Sequence, residues 1–273
     1  MFPLPYKSPW AEILYALFGL EMALLAGGLV FGRLNKEQTG RLPLPLRMLL
    51  SALLVVAAFL GWQAGARGTP TQTFATLIFL GMAAGFVGDL IMAGLIPVSE
   101  RLIFGMVEFG LGHLFYIAAF LNLTIRSGFS GIWTQAIALA ALLGFCSWAW
   151  YAQVRKPGGS KVINVGSLVY GLLIGVMAAL AVALAVHDAR YIALAAGALL
   201  FLASDFILGN WVIRGHVWKS VNDVVWVTYV TGQLLIVYSV AAAVNVWGEN
   251  SCCIVPPHSE VPLNRAISGT PFS

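Results

Sequence analysis

Charge is in short supply in this sequence. Only 10% of its 273 residues are Asp, Glu, Lys or Arg, where a soluble domain carries about a quarter. With a mean hydropathy of +0.87, that shortage excludes an ordinary soluble globular chain. Cysteine is scarcer still. Three residues cannot build a disulfide framework, and Cys146 falls inside an apolar run, where a thiol packs as a small hydrophobe. Of four histidines, only His113 lies in such a run; His187, His216 and His258 do not. A membrane zinc hydrolase would need about three converging His or Cys ligands, so no metal is expected, and no other cofactor. The chain lacks a Gly-x-Ser-x-Gly elbow, and Gly158-Gly159-Ser160-Lys161 does not have the spacing of a phosphate loop. The net charge of +4 is scattered over connections rather than gathered in a patch, which argues against nucleic acid.

What the sequence has instead is long apolar runs. A membrane helix needs about 20 such residues, and eight segments qualify: 11–31, 47–64, 73–96, 102–125, 132–153, 162–186, 191–212 and 223–247. Segments this long suit helices, whose backbone groups are satisfied internally, and not the alternating strands of about ten residues in an outer-membrane barrel. The expected fold is all-α, a polytopic helical bundle forming one transmembrane domain over 1–247, with a disordered Pro- and Ser-rich tail at 248–273. No short apolar core with a small-residue cleavage site precedes the first span, so that span is expected to be retained.

The basic residues report topology. The connections after spans 1, 3, 5 and 7 carry ten: Arg33, Lys36, Arg41, Arg47, Arg101, Arg155, Lys156, Lys161, Arg214 and Lys219. The opposite side carries five, Lys7, Arg67, Arg126, Arg190 and Arg265. The ten-charge face is therefore expected in the cytoplasm, with both termini outside. The membrane would be a bacterial inner membrane or, in a eukaryote, the endoplasmic reticulum.

Against this background the ionisable residues inside spans stand out, because each costs roughly 2.5–3.5 kcal/mol to insert at a helix centre. Asp89, Glu108 and His113 lie in one hairpin, Gly85 to Tyr116; Glu21 lies in span 1 and Asp205 in span 7, and Tyr229 and Gln233 share a face of span 8. At 1.5 Å per residue, Asp89, Asp205 and Glu108 come about 10–13 Å from the ten-charge face, and Tyr229 and His113 about 15–18 Å. One polar layer results. Span 2, with no ionisable group beyond Arg47 at its start, reads as scaffold, and the Gly- and Ala-rich span 6 reads as a close-packing helix. His113 follows Asp89 by 24 residues and Tyr229 follows Asp205 by 24, a hint of two four-helix halves, spans 1–4 and 5–8. Carboxyl groups gathered at one depth suit acid–base chemistry, and they equally suit a proton-coupled transporter or, in a non-catalytic lipid-binding protein, the fixing of helix register.

Four stretches carry a resemblance. VGDLIMA in span 3, FGMVEFGLGHLFYIAAF in span 4, GALLFLASDFILGN in span 7 and TYVTGQ in span 8 are similar to the YhhN-type lysoplasmalogenase family of eight-span membrane proteins. The resemblance covers spans 3 to 8 in order; spans 1 and 2 match only in hydrophobicity. It implies hydrolysis of the vinyl ether bond of lysoplasmalogens to a fatty aldehyde and glycerophosphoethanolamine or glycerophosphocholine, the partners being the lysophospholipid substrate and membrane lipid. It also implies that Asp89, Asp205 and His113 are catalytic and that Tyr229 and Gln233 bind or orient. Tyr116 completes the G-H-x-x-Y motif; Glu108 has no counterpart in the pattern, and is placed with the orienting group, at the cavity entrance or against another helix. Basic residues at the ten-charge face could meet the lipid phosphate. Asp89 and Asp205 are expected to face one cavity together with His113 and Tyr229.

Overall fold

The computed structural model describes residues 9–129 and 131–251, and those residues form an eight-helix bundle with no strand among them. The helices are α1 (Trp10–Phe31), α2 (Leu44–Leu60), α3 (Gln72–Met92), α4 (Arg101–Arg126), α5 (Ile132–Ala149), α6 (Lys161–His187), α7 (Ile192–Gly209) and α8 (Val221–Ser251). All eight are long and apolar enough to cross a membrane, so the protein is a multi-pass integral membrane protein. Residues 248–251, assigned from the sequence to the tail, form the last turn of α8, while 252–273 lie outside the described residues.

Amphipathicity is not what sorts these helices, because lipid and core are both apolar. Their burial differs all the same. In its most apolar stretch α8 buries 72% of its residues, against 17% in α1 and in α5, which makes α8 central and α1 and α5 peripheral. The outward faces carry large side chains such as Trp133, Ile125 and Val169, suited to acyl chains. Inside, glycine sets how closely helices approach. A side chain added at Gly112 would stand 3.0 Å from the Gly81 carbonyl, and one at Gly197 2.8 Å from the Gly232 carbonyl, so α3 meets α4 and α7 meets α8 nearly backbone to backbone.

Three helices end in a wider, π-type turn: Gly61–Ala66 after α2, Trp150–Val154 after α5 and Asn210–Arg214 after α7. Such a turn leaves carbonyls without helical donors. At the Trp150–Val154 turn, side chains of the Asn210–Arg214 turn supply them: Asn210 Nδ2 donates to the Gln153 carbonyl at 2.6 Å, and the Arg214 guanidinium donates to the Ala152 carbonyl. The ten-charge end is closed by a second fastening. The α1–α2 connection is held to the start of α8, where Asp223 accepts from the Arg41 amide at 2.6 Å and from its guanidinium at 3.2 Å, and the Asn222 amide donates to the Thr39 carbonyl at 2.8 Å.

Candidate active site

Two carboxyl groups organise the polar interior, and each is fixed by helices from both halves of the chain. Asp89, on α3, accepts hydrogen bonds on one oxygen from the Ser51 hydroxyl of α2 and from the Tyr229 hydroxyl of α8, the latter at 2.8 Å. The ring of Tyr229 is wedged edge-on among Phe109, Phe201 and Trp226, at centroid distances of 6.4, 5.4 and 5.4 Å, which aims its hydroxyl.

Asp205, on α7, accepts from the Tyr170 hydroxyl of α6. His113, on α4, brings Nε2 to 3.2 Å from the Tyr170 oxygen and 3.9 Å from the carboxylate. A phenol has one proton, and Tyr170 gives it to Asp205, so the proton shared between His113 and Tyr170 belongs to the imidazole. His113, Tyr170 and Asp205 thus form a directed chain. Phe201 packs edge-on against the imidazole at 4.8 Å and holds it in place, and the Met177 sulfur lies 3.4 Å from Nδ1.

The geometry repeats. Ser51 and Tyr170 lie on the second helix of their halves and serve the Asp on the third; Tyr229 and His113 lie on the fourth helices and serve the Asp of the opposite half. Gly81 stands eight residues before Asp89 and Gly197 eight before Asp205, and both glycines are packing contacts.

Both carboxyls line one cavity of about 320 Å³ between α2, α3, α7 and α8, whose walls also include Arg47, Tyr229, Asn222 and Trp226. A second, almost wholly apolar groove runs between α4, α6 and α7, lined by Met106, Ile174, Phe206 and Ile213 among others. Met92, Phe109, Asp205, Leu208 and Val212 belong to both, so Asp205 stands where polar cavity and apolar groove meet. Asp89 borders the cavity alone.

The expected gathering of Asp89, Asp205 and Tyr229 around a shared cavity is what the structure places there, with one correction. His113 is not a wall residue; 1% exposed, it reaches Asp205 from behind Tyr170. Tyr116 and Gln233 also sit behind the wall, where the Tyr116 hydroxyl donates to Gln233 Oε1 at 2.8 Å and the Tyr116 ring covers Gly81. Glu108, expected with the orienting group or at the cavity entrance, lines neither space, a further correction. Glu21, fully buried on α1 beside Tyr238, is likewise remote from both.

Two helices read as inert supply side chains to the carboxyls and the cavity. Span 2 brings Ser51 and Arg47, and span 6 brings Tyr170. A serine and a tyrosine are unremarkable in apolar helices, which is why neither stood out. The signal that could have found them is the repeat: once Asp89 and Asp205 are paired, a hydroxyl residue 38 and 35 positions earlier stands on the second helix of each half.

A sequence profile of the YhhN family matches residues 43–240, which is most of the chain. The chain belongs to the YhhN family. The matched segment takes in α2 through most of α8 and so every side chain just described at the two carboxyls, leaving out α1 and Glu21. Neither a curated protein nor a solved structure matches the chain.

Proposed function

We propose that this YhhN-family protein is a lysoplasmalogenase, a membrane hydrolase that opens the vinyl ether of a 1-alkenyl lysophospholipid by carboxyl acid–base catalysis. The observation that carries the reading is the placement of two carboxyls on one cavity, one of them at its junction with an apolar groove. Vinyl ether hydrolysis asks for that combination. Its difficult step is protonation of carbon, which needs an acid beside an apolar chain, an anion near the oxocarbenium ion that forms, and a water.

The surroundings of the carboxyls allot these roles. Asp89 receives two hydroxyl hydrogen bonds and has Arg47 within electrostatic reach, contacts that favour charge against the cost of its burial, and it is assigned the role of the anion. Asp205, at the groove, is the acid. It delivers its proton to the vinyl carbon farther from the ether oxygen, leaving an oxocarbenium ion facing the Asp89 carboxylate. Water then adds to the oxocarbenium carbon and gives a proton to Asp89, forming a hemiacetal. In its collapse the hemiacetal hydroxyl proton passes to Asp205 while Asp89 returns a proton to the departing glycerol oxygen. Fatty aldehyde and glycerophospholipid headgroup leave, one water has been consumed, and both carboxyls are restored. The His113–Tyr170 chain orients Asp205, and Tyr229 and Ser51 orient Asp89. Tyr116 and Gln233 act behind them as packing partners.

Purified protein in detergent is expected to release fatty aldehyde from a 1-alkenyl lysophospholipid, in the presence of chelator, and nothing from its saturated 1-alkyl counterpart, which has no double bond to protonate. Absence of aldehyde from alkenyl lysolipids of either ethanolamine or choline type, together with solute uptake driven by a pH gradient in liposomes, would replace the hydrolase with a proton-coupled transporter.

A further inference from the structure

Among the described residues Arg47 is the one cation on the cavity wall; it lies within electrostatic reach of Asp89 but forms no hydrogen bond or close ion pair with either carboxyl. Its side chain makes no hydrogen bond among the described residues, and its Nε is buried without a partner. The guanidinium is held 5.5 Å over the ring of Trp226, which fixes its plane while leaving its N–H groups free to donate. Asn222 also lines the cavity, and the fastening of the α1–α2 connection onto α8 holds its backbone. A positioned guanidinium with unused donors in a low-dielectric cavity is a site for an oxyanion.

The repeat shows that the charge is confined to one half. Arg47 precedes Ser51 by one helical turn; the residue one turn before Tyr170, the matching hydroxyl donor, is Gly166, whose nearest neighbour is the apolar Met106 of the groove. One half therefore presents a cation beside its carboxyl and the other presents space. A molecule spanning the two would be anionic at one end and apolar at the other.

We infer that Arg47, with Asn222, binds the phosphodiester of a single-chain lipid whose hydrocarbon chain leaves through the groove past Asp205. This assignment rests on the lysolipid reading above and names the group that sets its register. The spacing fits. Arg47 lies about 6 Å along α2 from Ser51, and so from the layer of the carboxyls. In an alkenyl lysophospholipid the phosphorus is seven bonds from the carbon to be protonated, roughly 8 Å when extended at about 1.2 Å of advance per bond. A phosphate at Arg47 thus delivers the vinyl ether to the carboxyl layer.

The test is equilibrium binding to the full chain in detergent, using lipids that cannot be hydrolysed: a 1-alkyl lysophosphocholine and the 1-alkylglycerol of the same chain length. The wild type is expected to bind the phospholipid more tightly than the alkylglycerol, and Arg47→Gln to weaken the phospholipid by at least about tenfold while leaving the alkylglycerol unchanged. Equal affinity of the wild type for both lipids, or an equal loss of both in the variant, would overturn the assignment, and the wild-type comparison decides even if the variant fails to fold. Excess inorganic phosphate is expected not to displace the lipid; displacement would give the site to a free anion. Arg47-dependent binding without aldehyde formation would keep the phosphate site and remove the hydrolase, whereas aldehyde formation with binding indifferent to Arg47 would do the reverse.

Discussion

Asp89 and Asp205 occupy matching places in the two halves of the chain, on the third helix of each and eight residues beyond a packing glycine, yet their neighbours differ. Asp89 is enclosed, with two hydroxyl donors on one oxygen and an arginine close by. Asp205 has one hydroxyl donor backed by an imidazole, and it opens on both the polar cavity and the apolar groove. A symmetric scaffold supplies two carboxyls at one depth, and the departures from symmetry make them inequivalent. That inequivalence is what acid–base catalysis by a carboxyl pair requires.

Replacing each carboxyl in turn should break the comparison most clearly. Asp205→Asn removes the proposed acid and is expected to lower aldehyde release by about 10³-fold or more, while Asp89→Asn removes the proposed charge-stabilising anion and should cost about 10²- to 10³-fold. Equal losses would mean that the two act as an undivided pair. Next come the donors. Tyr170→Phe and His113→Ala should each cost roughly tenfold or less, about the worth of one hydrogen bond. Because His113 reaches Asp205 through Tyr170, the double variant should lose little more than Tyr170→Phe alone. Ser51→Ala and Tyr229→Phe meet Asp89 separately, and their losses should multiply; a double-mutant cycle on each pair reads the difference.

The scaffold itself can be probed without touching the carboxyls. Gly197→Ala would push a methyl group against the Gly232 carbonyl and is expected to lower stability by about 1–3 kcal/mol, seen as a lower thermal midpoint in detergent. Gly112→Ala, with slightly more room at 3.0 Å from the Gly81 carbonyl, should cost less. The smallest effect belongs to Glu108→Gln, which lies off both the cavity and the groove and should leave aldehyde release within about twofold of the wild type.

How much of this could be read from the residues depended on how improbable each residue was in its place. A carboxylate inside an apolar helix is costly enough to announce itself, and helix rise alone put Asp89, Asp205 and Tyr229 at one depth. The same reasoning placed Glu108 in the layer but could not give its direction, and depth without azimuth is why it was grouped with side chains it does not meet. Ser51 and Tyr170 cost little in a membrane helix and gave no such warning. Arg47 was visible as a charge, but it sits close enough to the start of α2 to be counted with the connection before it. Only the packing of α2 against α3 and α8 turns it toward the carboxyls.

The central claim, that Asp205 protonates the vinyl carbon of a lysolipid, is tested most directly by running the reaction in D₂O and examining the aldehyde. Aldehyde from the wild type should carry one deuterium on the carbon next to the carbonyl, and Asp205→Asn should yield essentially none of this product while Asp89→Asn retains a measurable trace. Aldehyde without deuterium at that carbon, or undiminished labelled aldehyde from Asp205→Asn, would contradict the account.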